Sequence, residues 1–252
     1  MKKILALLMV LMLVLASAAC AKDAADPTAS PSADPSADTS TEPTADPNAK
    51  SDGVLTYAEY AAAALDTEVA IEAYVQAKQI YSSYGNTTLY LQDADGAYFI
   101  YRINCSQDEY DTFAIGSKLK ITGYKAEWGG EIEIIDATYE VGEGSYTAPA
   151  VDLSDVLGTD ALVDYQNRFF TIKGLTVETT DDGATGGDLY IDVSLNGTTF
   201  TLAIETDLTD AASDVYAAAK GLAVGDKIDI EGFLFWYEGA PNPHVTSVVP
   251  AV

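Results

Sequence analysis

The 252-residue sequence predicts a mainly β protein with two consecutive units of five strands, each with a helix between its third and fourth strands. Three observations support this prediction. From residue 53 onward, short stretches rich in Val, Ile, Tyr and Thr alternate apolar and polar residues, as half-buried strands do. The same order of elements occurs twice along the chain. Residues 21–52, in contrast, contain no aromatic or large aliphatic residue.

Residues 1–19 have the composition of an export signal. Two lysines precede an apolar run, Ile4–Leu15, which is shorter than the roughly 20 residues that a spanning helix needs. Small residues then lead to Cys20, and this arrangement resembles a bacterial lipoprotein signal peptide. The resemblance implies a palmitate-bearing Cys20 and a lipid-anchored protein on the extracytoplasmic face of the cell membrane. Ala16-Ser17-Ala18 also matches an ordinary cleavage site, so release of a soluble protein stays an alternative.

Residues 20–52 consist almost entirely of Ala, Asp, Pro, Ser and Thr. Such a segment has nothing to bury that would offset the chain entropy lost on folding, so it is predicted to be a disordered linker. A flexible chain of this length spans about 30 Å root-mean-square. The linker is therefore expected to hold the folded part away from the membrane.

The first folded unit, residues 53–149, begins with Thr56-Tyr-Ala-Glu59, a capping box that predicts a short helix from Tyr57 to about Leu65. Five strands follow, and a second capping box predicts a helix over 106–114, between the third and fourth of them. The predicted strands are Glu68–Lys78, Thr87–Asp93, Ala97–Asn104, Lys118–Trp128 and Glu131–Val141.

The second unit, residues 150–252, repeats this order. Its predicted elements are strands Phe169–Thr180, Asp188–Asn196 and Thr199–Asp207, helix Asp210–Leu222, and strands Lys227–Tyr237 and Val245–Val249. Residues 116–124 (GSKLKITGY) match residues 225–233 (GDKIDIEGF), and in this register Trp128 corresponds to Tyr237. Duplication of one unit explains the match.

The order of elements resembles the OB-fold, a small Greek-key barrel. The repeated pattern of a glycine, a lysine and alternating apolar residues, which begins the fourth strand of each unit, is part of this resemblance. Within that fold the chain is similar to bacterial extracytoplasmic lipoproteins with tandem OB domains. The resemblance implies two closed barrels and a ligand site on the second and third strands of a barrel, framed by loops. The residues implied as ligand-binding are Tyr90, Tyr101, Arg102, Trp128, Trp236, Tyr237 and His244, within a wider set that adds Tyr81, Tyr84, Tyr98, Tyr190, Phe200 and Asn242.

Charge restricts the partners that the sequence predicts. The chain carries a net charge of −26, and residues 53–252 carry −23 from nine basic and 32 acidic residues. Because nucleic-acid affinity depends largely on cationic side chains, this charge argues against a nucleic-acid partner. The predicted partner is instead an extracellular protein or an oligosaccharide, with the membrane contacted through the lipid.

The sequence shows no motif of catalysis, so neither an enzyme nor a cofactor is predicted. His244 is the only histidine, and Cys105 has no disulfide partner if Cys20 is acylated. No metal site is predicted, although Asp181, Asp182 and Asp188 are weak candidates for calcium ligands.

The leading hypothesis is a lipid-anchored binding or scaffolding protein that presents two acidic barrels to a protein or glycan. The alternatives are a nucleic-acid-binding surface protein, suggested by the fold, and a calcium-dependent structural protein or a hydrolase.

Overall fold

The computed structural model describes residues 46–184 and 187–251. Cys20, the predicted export signal and most of the predicted linker lie outside the described residues. The described chain forms two closed five-stranded barrels with few helices, which confirms the predicted fold class. No helix among the described residues is long and apolar enough to cross a membrane.

The first barrel closes in the strand order β1-β2-β3-β5-β4. The third and fifth strands pair in parallel, and the other pairs are antiparallel. Its elements are helix α1 (Tyr57–Ala62), β1 (Glu68–Lys78), β2 (Asn86–Gln92), β3 (Ala97–Asn104), helix α2 (Gln107–Thr112), β4 (Ser117–Trp128) and β5 (Glu131–Ser145).

The second barrel has the same topology, in the order β7-β8-β9-β13-β10, and closes through the pairing of β10 with β7. The short strand β6 adds to β7 in parallel. Its elements are β6 (Val151–Asp152), a 3-10 helix (Asp160–Tyr165), β7 (Phe169–Val177), β8 (Leu189–Leu195), β9 (Thr198–Ile204), helices α3 (Thr206–Thr209) and α4 (Asp214–Lys220), β10 (Lys227–Phe233), β11 (Trp236–Tyr237), β12 (Ala240–Pro241) and β13 (His244–Pro250).

Two predicted elements of the second barrel are divided in the structure, and its strands β6 and β12 and its 3-10 helix were not predicted. The helix predicted over Asp210–Leu222 is two helices, because Asp210 has a positive φ of 67° and ends α3 before Ser213 caps α4. The strand predicted over Lys227–Tyr237 ends at Phe233, and its last two residues form a separate two-stranded hairpin with β12. This hairpin becomes part of the site described below.

Helix α1 ends at Ala62, three residues before its predicted end, because Ala63 adopts an extended conformation, and a buried lysine binds the carbonyls at this end. The Lys125 Nζ donates to the carbonyl oxygens of Tyr60, Ala61 and Ala63 at 3.0, 2.9 and 2.9 Å. Cations stabilise the negative end of a helix dipole, and here the three hydrogen bonds fix the helix to β4.

A mid-strand glycine in each barrel allows two strands to approach closely. A Cβ on Gly123 would lie 2.7 Å from the carbonyl oxygen of Ile135. A Cβ on Gly232 would lie 2.9 Å from the Cα of Val245, and nearer still to the carbonyl oxygen of His244. The register shifts at both positions, so each glycine marks a bend of the kind that a small barrel needs in order to close.

Each barrel has its own apolar core, and a third cluster joins them. Tyr90 and Phe99 of the first barrel pack against Phe233 and Phe235 of the second. The ring centroids of Tyr90 and Phe233 are 4.5 Å apart, and those of Phe99 and Phe235 are 5.2 Å apart. The face of the second and third strands in barrel 1, the expected ligand face, is therefore partly covered by barrel 2.

Hydrogen bonds hold the same junction. The Glu131 Oε2 accepts from the backbone N–H of Trp236 at 2.8 Å, and the Gln92 Oε1 accepts from that of Phe169 at 2.9 Å. The Gly239 N–H donates to the Gly129 carbonyl at 3.0 Å, which joins the two loops that the internal repeat makes equivalent. These apolar contacts and hydrogen bonds join the two barrels in one compact unit.

Candidate functional site at the barrel junction

A cleft with a volume of about 360 Å³ opens where the two barrels meet. This volume is in the range of small-molecule sites. Both barrels contribute, so the cleft exists only because the barrels are docked. Its lining residues are Gln79, Phe99 and Trp128 from barrel 1 and Tyr190, Ala203, Glu205, Phe235, Tyr237, Asn242 and His244 from barrel 2.

Three aromatic side chains at the cleft are open to solvent. Trp128, Tyr190 and Tyr237 are 55%, 53% and 43% exposed. The rings of Trp128 and Tyr237 lie 5.3 Å apart at an angle of 38°. Exposed flat rings are costly to leave in water and provide surfaces on which another ring can stack. The aromatic set is therefore suited to a planar ligand.

Among the described residues, Glu205 is the one acidic residue that lines the cleft, and its Oε2 makes all of the polar contacts of its side chain. The Oε2 accepts from the Gln79 Nε2 at 3.0 Å and from the Tyr90 hydroxyl at 3.4 Å, and lies 3.2 Å from the His244 Nδ1. The Oε1 has no hydrogen bond to any described residue, and the side chain is 20% exposed. The Oε1 is thus available to a ligand.

The surroundings of Glu205 make its ionisation sensitive to pH near neutrality. Burial raises the pKa of Glu205, the nearby carboxylates of Asp188 and Asp207 add to the increase and the hydrogen bonds from Gln79 and Tyr90 oppose it, so that the pKa is about 7. Both protonation states of the carboxyl are therefore populated at neutral pH.

His244 is neutral in this site. Its ring stacks on Phe235 at 4.1 Å and its Nδ1 lies 2.6 Å from the Tyr90 hydroxyl. Burial lowers the pKa of His244 to about 3, so the imidazole carries no charge at physiological pH. No lysine or arginine lines the cleft among the described residues.

Two amide side chains complete the polar lining, and the nitrogen of each donates a hydrogen bond to an acceptor of the protein. The Asn242 Nδ2 donates to the Thr201 carbonyl at 2.9 Å, and the Gln79 Nε2 donates to Glu205. The carbonyl oxygens of both amides form no hydrogen bond to any described residue. Together with the Glu205 Oε1, they are three acceptors at one cleft that have no hydrogen-bond partner in the part of the chain that the structure describes.

A smaller recess of about 170 Å³ adjoins the cleft and shares Gln79 with it. Arg102 and Tyr84 line this recess, and Tyr84 is 85% exposed. The Arg102 guanidinium lies 4.9 Å from the ring of Tyr101 and forms no ion pair with a described residue. The recess therefore offers one cationic group and one open ring next to the cleft.

The structure brings together only part of the predicted ligand-binding set. Trp128, Tyr237 and His244 line the cleft. Tyr90 lies beneath it, 1% exposed, in the cluster between the barrels, and Trp236 is 9% exposed and packs in the core of barrel 2.

Tyr101 and Arg102 do not line the cleft, and Arg102 lines the adjoining recess. The sequence did not predict Glu205, Gln79 or Phe235 as site residues. Glu205 is one of 32 acidic residues in the folded part, and no sequence pattern distinguishes it from the others. Tyr190 and Asn242 belong to the wider predicted set and do line the cleft.

The three aspartates considered for calcium bind backbone and hydroxyl groups of the protein. Asp181 accepts from the N–H groups of Gly183 and Tyr190, and Asp182 accepts from that of Ala184. Asp188 accepts from the Thr206 N–H at 2.7 Å. Across residues 46–184 and 187–251, no three His, Cys, Asp or Glu side chains are grouped so that they could hold a metal ion.

No family model matches this chain, and no curated protein matches it. Solved structures do match. A crystal structure of the Ifi202 HINa domain in complex with 20-base-pair double-stranded DNA is 13% identical, with 75% of this chain and 98% of that chain covered and a TM-score of 0.33.

A replication protein A heterotrimer bound to single-stranded DNA is 12% identical, with 71% and 50% of the two chains covered and a TM-score of 0.30. A deletion mutant of the single-stranded DNA binding protein from Thermus aquaticus is 14% identical, with 73% and 94% covered and a TM-score of 0.26. Likeness at this level does not transfer a ligand from those proteins to this chain.

The matches do correct one prediction. Net charge was taken to argue against nucleic acid and in favour of an extracellular protein or oligosaccharide; the matched structures, which are of DNA-binding proteins, contradict this use of net charge. The physical reason is that total charge governs contact with phosphates and says nothing about stacking on bases. A site made of rings and hydrogen-bond acceptors can hold a base in an acidic protein.

Proposed function

We propose that this protein binds single-stranded nucleic acid and holds one base in the cleft between its two barrels. The observation that carries the proposal is the group of three exposed rings, Trp128, Tyr190 and Tyr237, at a cleft of about 360 Å³. Stacking of a base on an aromatic side chain contributes roughly 1–3 kcal/mol and needs no cation.

The recess beside the cleft supports the same proposal. A strand with one base in the cleft can extend past Gln79, where Arg102 is placed to meet a phosphate and Tyr84 to stack on a neighbouring base. Phosphate contacts fix the position of a strand, while contacts to the bases determine which base is bound. With a single arginine and a strongly acidic protein, the base contacts supply most of the affinity.

Binding in which base contacts contribute more affinity than phosphate contacts has a distinctive salt dependence. Each phosphate neutralised on a single strand gives a slope of about −0.7 in the logarithm of affinity against the logarithm of salt concentration. One contact through Arg102, opposed by repulsion from the acidic surface, predicts a slope between about −0.7 and zero. Binding that depends on many phosphate contacts has a much steeper slope.

Fluorescence anisotropy with a labelled single-stranded DNA heptamer tests the proposal. Trp128→Ala removes one stacking surface and is expected to weaken binding by about 1–3 kcal/mol. Tyr124→Ala is the matched control, because Tyr124 is 44% exposed on the same strand but does not line the cleft. Equal affinity for the wild-type protein and Trp128→Ala, or a salt slope steeper than about −2, would show that the cleft is not where the strand binds.

The location of the protein remains a proposal from the sequence. We propose that cleavage before Cys20 leaves this residue lipid-modified and the barrels displayed outside the cytoplasmic membrane. Incorporation of labelled palmitate tests this: Cys20→Ser should abolish the label and release the protein into the medium, while Cys105→Ser should do neither. Release of the unlabelled wild-type protein would favour cleavage at Ala16-Ser17-Ala18.

A further inference from the structure

The cleft has a polar character that goes beyond stacking. Its carboxyl and amide side chains present oxygen atoms: the Oε1 of Glu205, the Oδ1 of Asn242 and the Oε1 of Gln79 have no partner among the described residues. The nitrogen of each amide is directed to an acceptor of the protein. A ligand group that reaches these three oxygen atoms therefore meets acceptors, and it must bring donors to satisfy them.

The contacts behind Glu205 hold its acceptor in place. Gln79, Tyr90 and His244 all lie against the Oε2, within 3.0 to 3.4 Å, and Tyr90 and His244 are themselves buried. Since this oxygen is fixed on three sides, the carboxyl cannot turn without losing those contacts. The Oε1 is thus a preorganised acceptor, which lowers the entropic cost of binding a donor.

The electrostatic environment favours the same kind of ligand. Asp188 and Asp207 lie near enough to Glu205 to disfavour a further negative charge, and His244 is neutral. A phosphate or a carboxylate is repelled from this cleft. A neutral ring with several N–H groups, or a planar cation, is favoured.

The bases differ in how many donors they offer on the Watson–Crick edge. Guanine has two adjacent donor groups, N1–H and the 2-amino group. Adenine and cytosine each have one amino group beside an acceptor nitrogen, and thymine has one N–H between two carbonyls. In adenine, cytosine and thymine, an acceptor of the base would face an acceptor of the cleft and leave it unpaired, which costs affinity.

We infer that the cleft selects guanine, with the N1–H and 2-amino donors bound by Glu205 together with the amide oxygens of Asn242 and Gln79 and the ring stacked on the exposed aromatic side chains. This inference rests on the proposed function, because it assigns the identity of the base that the cleft holds. It assigns Glu205 as the residue that determines specificity and Trp128 as a residue that contributes affinity for any base.

A series of labelled thymidine heptamers tests the inference, with the central base replaced in turn by guanine, hypoxanthine, adenine and cytosine. Guanine is expected to bind about tenfold more tightly than adenine or cytosine, the size of one well-formed set of base-edge contacts. Hypoxanthine lacks only the 2-amino group and should bind with intermediate affinity. Because this comparison changes the ligand and leaves the protein intact, it does not depend on the folding of a variant.

Two variants separate specificity from stacking. Glu205→Gln keeps the shape of the side chain and should reduce the preference for guanine to less than about threefold. Trp128→Ala should weaken every heptamer by a similar factor and keep the preference.

The outcomes distinguish the two proposals. Equal affinity for all five heptamers, still weakened by Trp128→Ala, would overturn the selection of guanine and leave the proposed function intact. If no heptamer binds, both are wrong. Binding of arginine methyl ester in the cleft without binding of any heptamer would show a site for an organic cation and would also overturn both.

Discussion

Glu131 offers a sharp test of how the barrel junction is held together. Its side chain is fully buried, its Oε2 accepts from the Trp236 N–H at 2.8 Å, and its Oε1 has no partner among the described residues. Burial raises the pKa of Glu131, the nearby Glu133 adds to the increase and the hydrogen bond from the Trp236 N–H opposes it, so that the pKa is about 8 instead of 4.5. The carboxyl is therefore mainly protonated at neutral pH.

The sign of the pH effect follows from this shift. A carboxyl whose pKa is raised by folding contributes stability that is fully present below pH 4.5 and is lost as the pH rises to about 8. At about 1.36 kcal/mol for each unit of pKa, the loss is on the order of 5 kcal/mol. Glu131→Gln keeps an acceptor for Trp236 and removes the titration, so it should stabilise the protein at pH 8.5 and have little effect at pH 5.

Urea denaturation at the two pH values measures the difference in the free energy of unfolding. Glu127→Gln is the control, because Glu127 is exposed on β4 and should show no such difference. If Glu131→Gln and the wild-type protein lose the same stability between pH 5 and pH 8.5, the buried carboxyl of Glu131 does not titrate on unfolding, contrary to this prediction.

Three further predictions concern the barrels and the cleft. Gly232→Ala should lower the free energy of unfolding by about 1–3 kcal/mol, because its Cβ would press against the backbone of β13, whereas Gly221→Ala should be tolerated; equal urea midpoints would contradict this. Lys125→Met should cost about 2 kcal/mol or more by leaving three carbonyls at the end of α1 without their donor, while the half-exposed Lys120→Met should cost little. The affinity for the guanine heptamer should rise as the pH increases through about 7, because the ionised Glu205, surrounded by Tyr90, His244, Asp188 and Asp207, is the stronger acceptor; the profile should be flat in Glu205→Gln.

The strands of each barrel were predictable because the alternation of apolar and polar residues fixes which face of a strand is buried. Strand β1 runs over Glu68–Lys78, as the pattern predicts. The alternation of apolar and polar residues does not predict which part of the protein packs against the buried face. Tyr90 was therefore taken for a ligand-binding residue, although Phe233 of the other barrel packs on it.

The site was only partly predictable because docking of the barrels creates it. The internal repeat shows that Trp128 and Tyr237 are equivalent, but their contact at 5.3 Å depends on the arrangement of the two barrels. Glu205 becomes distinctive only when Gln79 from the other barrel reaches its Oε2. A local sequence pattern does not predict a contact between residues as far apart along the chain as Gln79 and Glu205.

The central claim is that a base stacks on Trp128 in the cleft, and the indole N–H resonances of the protein test it most directly. The chain has two tryptophans, of which Trp128 lines the cleft and Trp236 does not. In a titration with the guanine heptamer, monitored by proton–nitrogen correlation spectra, the resonance absent from Trp128→Phe should shift in a saturable way, and that of Trp236 should move little. Saturable binding of the heptamer with no shift at Trp128 would contradict the account.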